Sequence, residues 1–129
     1  MPFFTLAEAV ALLPVVRPLL QQMIDQHARL LEKQEEYERA VQMASSNGHT
    51  VSEKLASQQE EIELLAEGLR RVIAEIQQSG CVVKDLHIGL VDFPSQRDGR
   101  PINLCWRMDE PTIAYWHSMD SGYGSRQLL

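Results

Sequence analysis

Apolar and polar residues change their period once along this chain. Up to Ser79-Gly80 the apolar positions recur every three or four residues, the spacing that lines one face of a helix. Beyond that point they alternate every second residue, as in a half-buried strand.

Within the first stretch, Thr5-Leu6-Ala7-Glu8 has the form of a capping box, with Phe4 placed to act as a hydrophobic staple. A short leading helix is predicted from Leu6 to about Leu13, with a kink or restart where Pro14 and Pro18 cannot donate the helical bond. Val16, Leu20, Met23, His27, Leu30, Gln34, Tyr37, Val41 and Ala44 then form a heptad stripe. Ser45-Ser46-Asn47-Gly48 ends it, with Gly48 suited to a left-handed position after the helix. A second stripe, Leu55, Gln58, Ile62, Leu65, Leu69, Val72 and Ile76, starts from a Thr50 or Ser52 cap and stops at Ser79-Gly80. Antiparallel pairing of the stripes places Tyr37 near Gln58 and Leu30 near Leu65. Gly68, beside the second stripe, costs helix stability and suggests close approach by another element.

In the second stretch, Cys81 to Lys84, Ile88 to Phe93, Pro101 to Arg107 and Thr112 to Ser118 read as strands. Pro94 to Arg100, containing Arg97-Asp98-Gly99-Arg100, reads as a hairpin loop. Met108-Asp109-Glu110-Pro111 reads as a four-residue connection, and the tail from Met119 as loop. The fold class is α+β: a long antiparallel two-helix hairpin with a short leading helix, then a small C-terminal antiparallel β-meander of three or four strands. One domain is expected over 1–129, with the hairpin in 1–80 and the meander and tail in 81–129.

Composition narrows the function classes. The net charge is −6, and the first 80 residues hold 12 acidic and 7 basic side chains. Such a surface disfavours double-stranded DNA, which is bound by Lys and Arg neutralising phosphates, and an anionic membrane leaflet. The acidic run Glu60, Glu61, Glu63 and Glu67 reads as a solvated helix face. No apolar run approaches a membrane span, no basic leader is present, and the two cysteines are too few for a disulfide scaffold. A cytoplasmic protein is expected.

Chemistry-bearing residues collect after Gly80. Cys81, Cys105 and His117, with Asp92 or His87, are the residue types that hold zinc. Pairing Arg107 with Thr112 across a four-residue loop sets Cys105 opposite Ala114 and Leu104 opposite Tyr115. His117 then shares a face with Ile102 rather than with Cys105, so buried thiols and a hydrogen-bonded histidine are the plainer reading, and no metal or other cofactor is assigned. A second set, Lys84, Asp85, Asp92, Arg107, Glu110 and His117, offers carboxylates, cations and an imidazole for acid–base work. Strand-end charges more often form ordinary ion pairs, and no catalytic residue is assigned. The same alternation puts Trp106 and Trp116 on opposite faces, with Arg107 able to stack on Trp116; core or a dimer interface is the first reading for the tryptophans, and an exposed anchor for a partner the second. His27, in the apolar stripe, reads as packed or as a register determinant.

Gly80-Cys81-x-x-Lys84-Asp85, Gly89-Leu90-Val91-Asp92-Phe93-Pro94, Gly99-Arg100, Leu104-Cys105-Trp106-Arg107, Trp116-His117 and Gly122-Tyr123-x-x-Arg126 follow one another in that order. This series resembles an uncharacterised bacterial family known as domain of unknown function 2203, as do the Phe4-Thr5 start and the Leu13-Pro14 step. The resemblance brings no activity, substrate or cofactor. It singles out Lys84, Asp85, Asp92, Arg107, Glu110, Trp116, His117 and Arg126 as a candidate functional cluster. Asp109 stands where the family tends to have Gly; if that Gly is left-handed, Asp109 must take the conformation instead, which Asp tolerates better than most residues.

The first functional expectation is a non-catalytic interaction or scaffold protein acting as a homo-oligomer, with a dimer burying helix against helix. The second is a metal-binding protein or small hydrolase-like enzyme using the polar cluster of the meander. A third is single-stranded RNA binding through Trp116, Arg107 and Tyr123.

Overall fold

Thr5 caps the first helix. The Glu8 amide donates to Thr5 Oγ1 at 3.1 Å, and the Glu8 carboxylate accepts the Thr5 amide at 2.9 Å. The computed structural model describes residues 3–47 and 52–129. From the cap a single helix, α1, runs over Leu6–Asn47, so the leading helix is continuous with the long one and there is no restart at Pro14. Pro14 and Pro18 stand one turn apart on the exposed side, below an exposed Val10. Each proline leaves the carbonyl four residues back without its helical donor, and on this side water can bond the orphaned oxygens.

The second helix, α2, covers Ser52–Gln78. Gly48 and Thr50 lie outside the described residues. Gln59 Nε2 donates to Tyr37 Oη at 2.6 Å, and Lys33 Nζ lies 3.6 Å from Glu61. These contacts lie one residue to either side of the expected Tyr37–Gln58 register, so the helices pair antiparallel about that alignment. Helix α2 ends at Ser79-Gly80, where Gly80 takes φ 104°. A Cβ there would come within 2.9 Å of the Phe4 ring, so glycine is required for both conformation and space. Gly68 has no such need. A Cβ on it would meet nothing closer than Gln26 Oε1 at 3.9 Å, contrary to the close approach expected.

Five strands follow: β1 (Val82–Asp85), β2 (Leu90–Arg97), β3 (Arg100–Arg107), β4 (Tyr115–Ser118) and β5 (Gln127–Leu128). They form an antiparallel meander in chain order, with one strand more than the upper expectation because the tail after Met119 returns to pair with β4. Strand β2 runs through Pro94 instead of ending there. The Pro94 carbonyl accepts the Phe4 amide at 2.7 Å, and Ser95 Oγ donates to the Phe4 carbonyl at 2.5 Å. A strand residue directs its N and O to the same side, so the missing N–H of Pro94 faces Phe4 and not the β3 ladder. Phe4 thus reaches past the first helical turn to the sheet, where its ring meets Phe93 edge-on at 5.4 Å. The β2–β3 turn is only Asp98-Gly99, at φ 53° and 77°, which suits a tight hairpin. Asp98, not Asp109, is the one described non-glycine residue at positive φ.

The β3–β4 register departs from expectation by one residue. Cys105 faces Tyr115, Leu104 faces Trp116 and Asn103 faces His117. The cause is Glu110. Its carboxylate accepts the Arg107 amide at 2.7 Å, its amide donates to the Arg107 carbonyl at 2.9 Å, and its carbonyl accepts the Trp106 indole at 3.0 Å. A side chain therefore takes the ladder bond that Thr112 was expected to take, and β4 begins only at Tyr115.

One core joins helices and sheet. It contains Ala9, Leu13, Val16, Leu20, Met23 and Leu30 of α1 and Leu69, Val72 and Ile76 of α2. The sheet contributes Val91, Phe93, Ile102, Leu104 and Trp106 from its inner face. The shifted register puts Trp116 on this inner face with Trp106, where Arg97 lies over its ring at 4.9 Å. The outer face is buried as well, although it carries Asp92, Asn103, Cys105 and His117. Among the described residues no helix is long and apolar enough to cross a membrane.

Candidate metal centre

Strand pairing brings three chemically distinct side chains to one spot on the outer face. Asp92 on β2 is directly across from Cys105 on β3, and His117 on β4 is across from Asn103, two residues before Cys105. Alternation gives all three the same side of the sheet. Asp92, Cys105 and His117 are 1%, 0% and 3% exposed. A carboxylate oxygen, Cys105 Sγ and an imidazole nitrogen all lie within 4.8 Å of one another. The register shift created by Glu110 is what unites Cys105 with His117.

The hydrogen bonds leave a proton unaccounted for. His117 Nδ1 is 2.8 Å from the Ser118 carbonyl, which can only accept, so Nδ1 carries the hydrogen. His117 Nε2 is 3.0 Å from Asp92 Oδ1, a second acceptor if the carboxylate is ionised. A neutral imidazole cannot donate to both. Either one more proton is held between Asp92 and His117, or a cation occupies that place. The other carboxylate oxygen, Asp92 Oδ2, is buried without a hydrogen-bond partner, and Lys84 Nζ is 4.0 Å away. A buried acceptor left in this condition is costly.

Cys105 is not an activated nucleophile. Burial first, and then the adjoining Asp92 charge, push its thiol up to about 12. Both imidazole nitrogens are engaged elsewhere, so His117 is not aimed at the sulfur as the base of a Cys–His pair would be, and the neighbouring Asp92 raises the thiol further.

Other members of the expected cluster separate into distinct groups. Asp85 spends Oδ1 on the Ile88 and His87 amides at 2.9 and 2.7 Å, closing the β1–β2 turn. Those bonds, that to Ile88 foremost, hold its carboxyl below the ordinary value against the opposing effect of burial. Glu110 accepts Arg126 at 2.6 Å, while the same guanidinium donates to the Cys105 carbonyl at 3.2 Å. Burial works most strongly against the Arg126 charge, but Glu110, Cys105 and Tyr123 together outweigh it and the guanidinium stays above its ordinary value. Arg126 also lies over Tyr115 at 4.0 Å, which pins the tail across the outer face. Arg107 engages Asp109 and the Tyr123 hydroxyl, not Trp116. Trp116, on the inner face, has no place in this site. Cys81 and His87 are also apart from it. Cys81 is buried at the end of α2 against Ser79 Oγ, at 3.3 Å, and burial raises its thiol.

Two residues outside the expected cluster prove to support it. Arg17 of α1 donates to the Met108 carbonyl at 2.5 Å and lies 4.8 Å over Trp106, bracing the Glu110 turn from the helical side. Tyr123 joins Ser121 and Gly122 as one wall of a cavity of about 290 Å³. Lys84, Asp85, Ile88 and Leu90 form much of the rest, with Asp92 and His117 also lining it. The Gly-Tyr-x-x-Arg pattern at Gly122 was the available signal for Tyr123, whereas nothing local to Arg17 marked it.

The model of a family described as an uncharacterised conserved protein, DUF2203, matches residues 2–129. The chain belongs to the DUF2203 family. No curated protein and no solved structure matches it. In this DUF2203 chain Asp92, Cys105 and His117 fall within three separate segments that carried the resemblance, and the fold brings those segments to one point.

Proposed function

We propose that this protein binds a divalent transition metal through Asp92, Cys105 and His117, with zinc the ion best matched to the donors. The observation that carries the reading is the buried convergence of a carboxylate, a thiol and an imidazole within 4.8 Å. Sulfur, nitrogen and oxygen donors in one set suit zinc. The Ser118 carbonyl holds the hydrogen on His117 Nδ1 and leaves Nε2 for the ion, the usual arrangement of a ligating histidine. A cation beside Asp92 would also serve Oδ2, which has only the long Lys84 contact at 4.0 Å, and replace the extra proton facing His117.

Binding would convert Cys105 from thiol to thiolate and release that proton, so affinity should increase with pH. Three protein ligands leave a fourth position free, as in sites where zinc meets a water or a ligand. Competition against a chromogenic chelator tests the reading. The full chain should take up one zinc per molecule, and Cys105→Ala or His117→Ala should abolish stoichiometric uptake. Wild-type protein that never competes with the chelator contradicts it.

A second reading, homo-oligomeric scaffolding, rests on the hairpin tip. Past Leu30 on α1, and before Leu69 on α2, no described residue is buried, and Leu31, Val41, Met43 and Leu64 are exposed. A second copy could cover this stretch without disturbing the metal centre. Light scattering at micromolar concentration should give the mass of two chains, and a stable monomer removes the reading.

A further inference from the structure

A cavity adjoins the proposed metal centre, and its walls indicate what kind of molecule would fit there. Its volume of about 290 Å³ sits at the lower edge of small-molecule sites, so it suits a compact molecule and not a polymer. Asp92 and His117 line it, whereas Cys105, which is fully buried, does not. The free coordination position of an ion held by these three residues therefore faces the cavity.

Charge orients the occupant. A dication bound by the Asp92 carboxylate and the Cys105 thiolate is neutralised, and the Lys84 ammonium adds a positive charge at the same end. Lys84 is about half exposed, at 48%, and at 4.0 Å its contact with Asp92 is too long for a firm hydrogen bond. It remains available to a ligand. Asp85, ionised and tied to its own turn, supplies the opposing charge on the wall, while Ile88 and Leu90 supply apolar surface.

We infer that the metal position and Lys84 together bind the oxyanion end of a small ligand, a carboxylate or a phosphate, whose short apolar body rests on Ile88 and Leu90. This inference rests on the metal reading above and adds a ligand class to it. One oxygen of the anion takes the free position on the ion, and another accepts from Lys84 Nζ. Charge-assisted hydrogen bonding and coordination then act on the same group. The Asp85 carboxylate repels a second anionic end, so ligands with a single oxyanion are favoured.

Cobalt(II) in place of zinc gives the test, with inorganic phosphate and acetate as probes on the full chain. Bound cobalt should show a near-ultraviolet thiolate charge-transfer band from Cys105 and visible bands that report the fourth ligand. Adding a probe should shift the visible bands with saturation while the thiolate band stays. Phosphate alone, acetate alone or both shifting them identifies the source of the oxyanion. Lys84→Met should keep the thiolate band and weaken the saturating response at least tenfold, with Lys84→Arg restoring part of it. A thiolate band with visible bands that neither probe moves overturns the ligand inference and spares the metal reading. An unchanged response in Lys84→Met also overturns it. Absence of the thiolate band in wild-type protein overturns both.

Discussion

His117 is placed opposite Asn103 across the β3–β4 ladder, which brings its Nε2 to 3.0 Å from Asp92 Oδ1 on β2, beyond the intervening strand β3. One residue of slip in either direction would turn the imidazole to the inner face, among Leu104 and Trp106. The candidate metal centre therefore depends on whatever sets that register, and the contacts of Glu110 do so. Its carboxylate oxygen Oε1 accepts from both the Arg107 amide and the Arg126 guanidinium.

Glu110→Ala should consequently lower stability by about 3 kcal/mol, because it leaves the mostly buried Arg126 guanidinium without its partner. Arg126→Ala should cost a comparable amount. The double variant should cost less than the sum, since the two residues act as one unit. Urea unfolding of the three proteins measures this, and strict additivity would argue against the coupling.

Cys105 should behave as an inert thiol in metal-free protein. At pH 8 it should react with a disulfide reagent only after denaturant is added, since burial keeps it protonated and covered. The sign of its effect on stability follows from the raised value. Above about pH 9 the unfolded thiol ionises while the folded one, pushed to about 12, does not. The folded state then binds the extra proton, so stability falls as pH rises through this window. Cys105→Ala should show a shallower decline between pH 9 and 11 than wild type, and parallel curves would contradict the assignment.

Gly68→Ala should stabilise the protein by about 0.5–1 kcal/mol, the helix-propensity difference between the two residues. The added methyl has only van der Waals contact with Gln26 to satisfy. A lower thermal midpoint than wild type would mean that the hairpin closes more tightly there than these distances indicate.

Zinc should raise the thermal midpoint of wild-type protein and leave Asp92→Ala almost unmoved. At a free concentration one hundred times the dissociation constant, the stabilisation should be about 2.7 kcal/mol. Calorimetry with and without the ion reads the difference, and equal shifts in both proteins would place the binding elsewhere.

Much of this fold is legible from local sequence, where local chemistry decides it. The Thr5–Glu8 capping box, the helical stop at Ser79-Gly80 and the hairpin turn at Asp98-Gly99 each act through neighbouring residues. Elements that depend on tertiary surroundings were harder to read. Pro14 and Pro18 look like breaks until their orphaned carbonyls are seen to fall on the exposed side. Pro94 looks like the start of a loop until Phe4, far away in the chain, comes to its carbonyl. The site shows the same division. Asp92 and Cys105 share a face by simple alternation, but His117 joins them only because the Glu110 side chain substitutes for a backbone partner. No spacing rule expresses that substitution, which is held by Arg17 and Arg126 from opposite ends of the chain.

The most direct test of the account is X-ray absorption at the zinc edge on the zinc-loaded full chain. One sulfur at roughly 2.3 Å, with nitrogen and oxygen at roughly 2.0–2.2 Å, is the first shell expected from Cys105, His117 and Asp92. A shell without sulfur, or a protein that holds no zinc after dialysis, would contradict it.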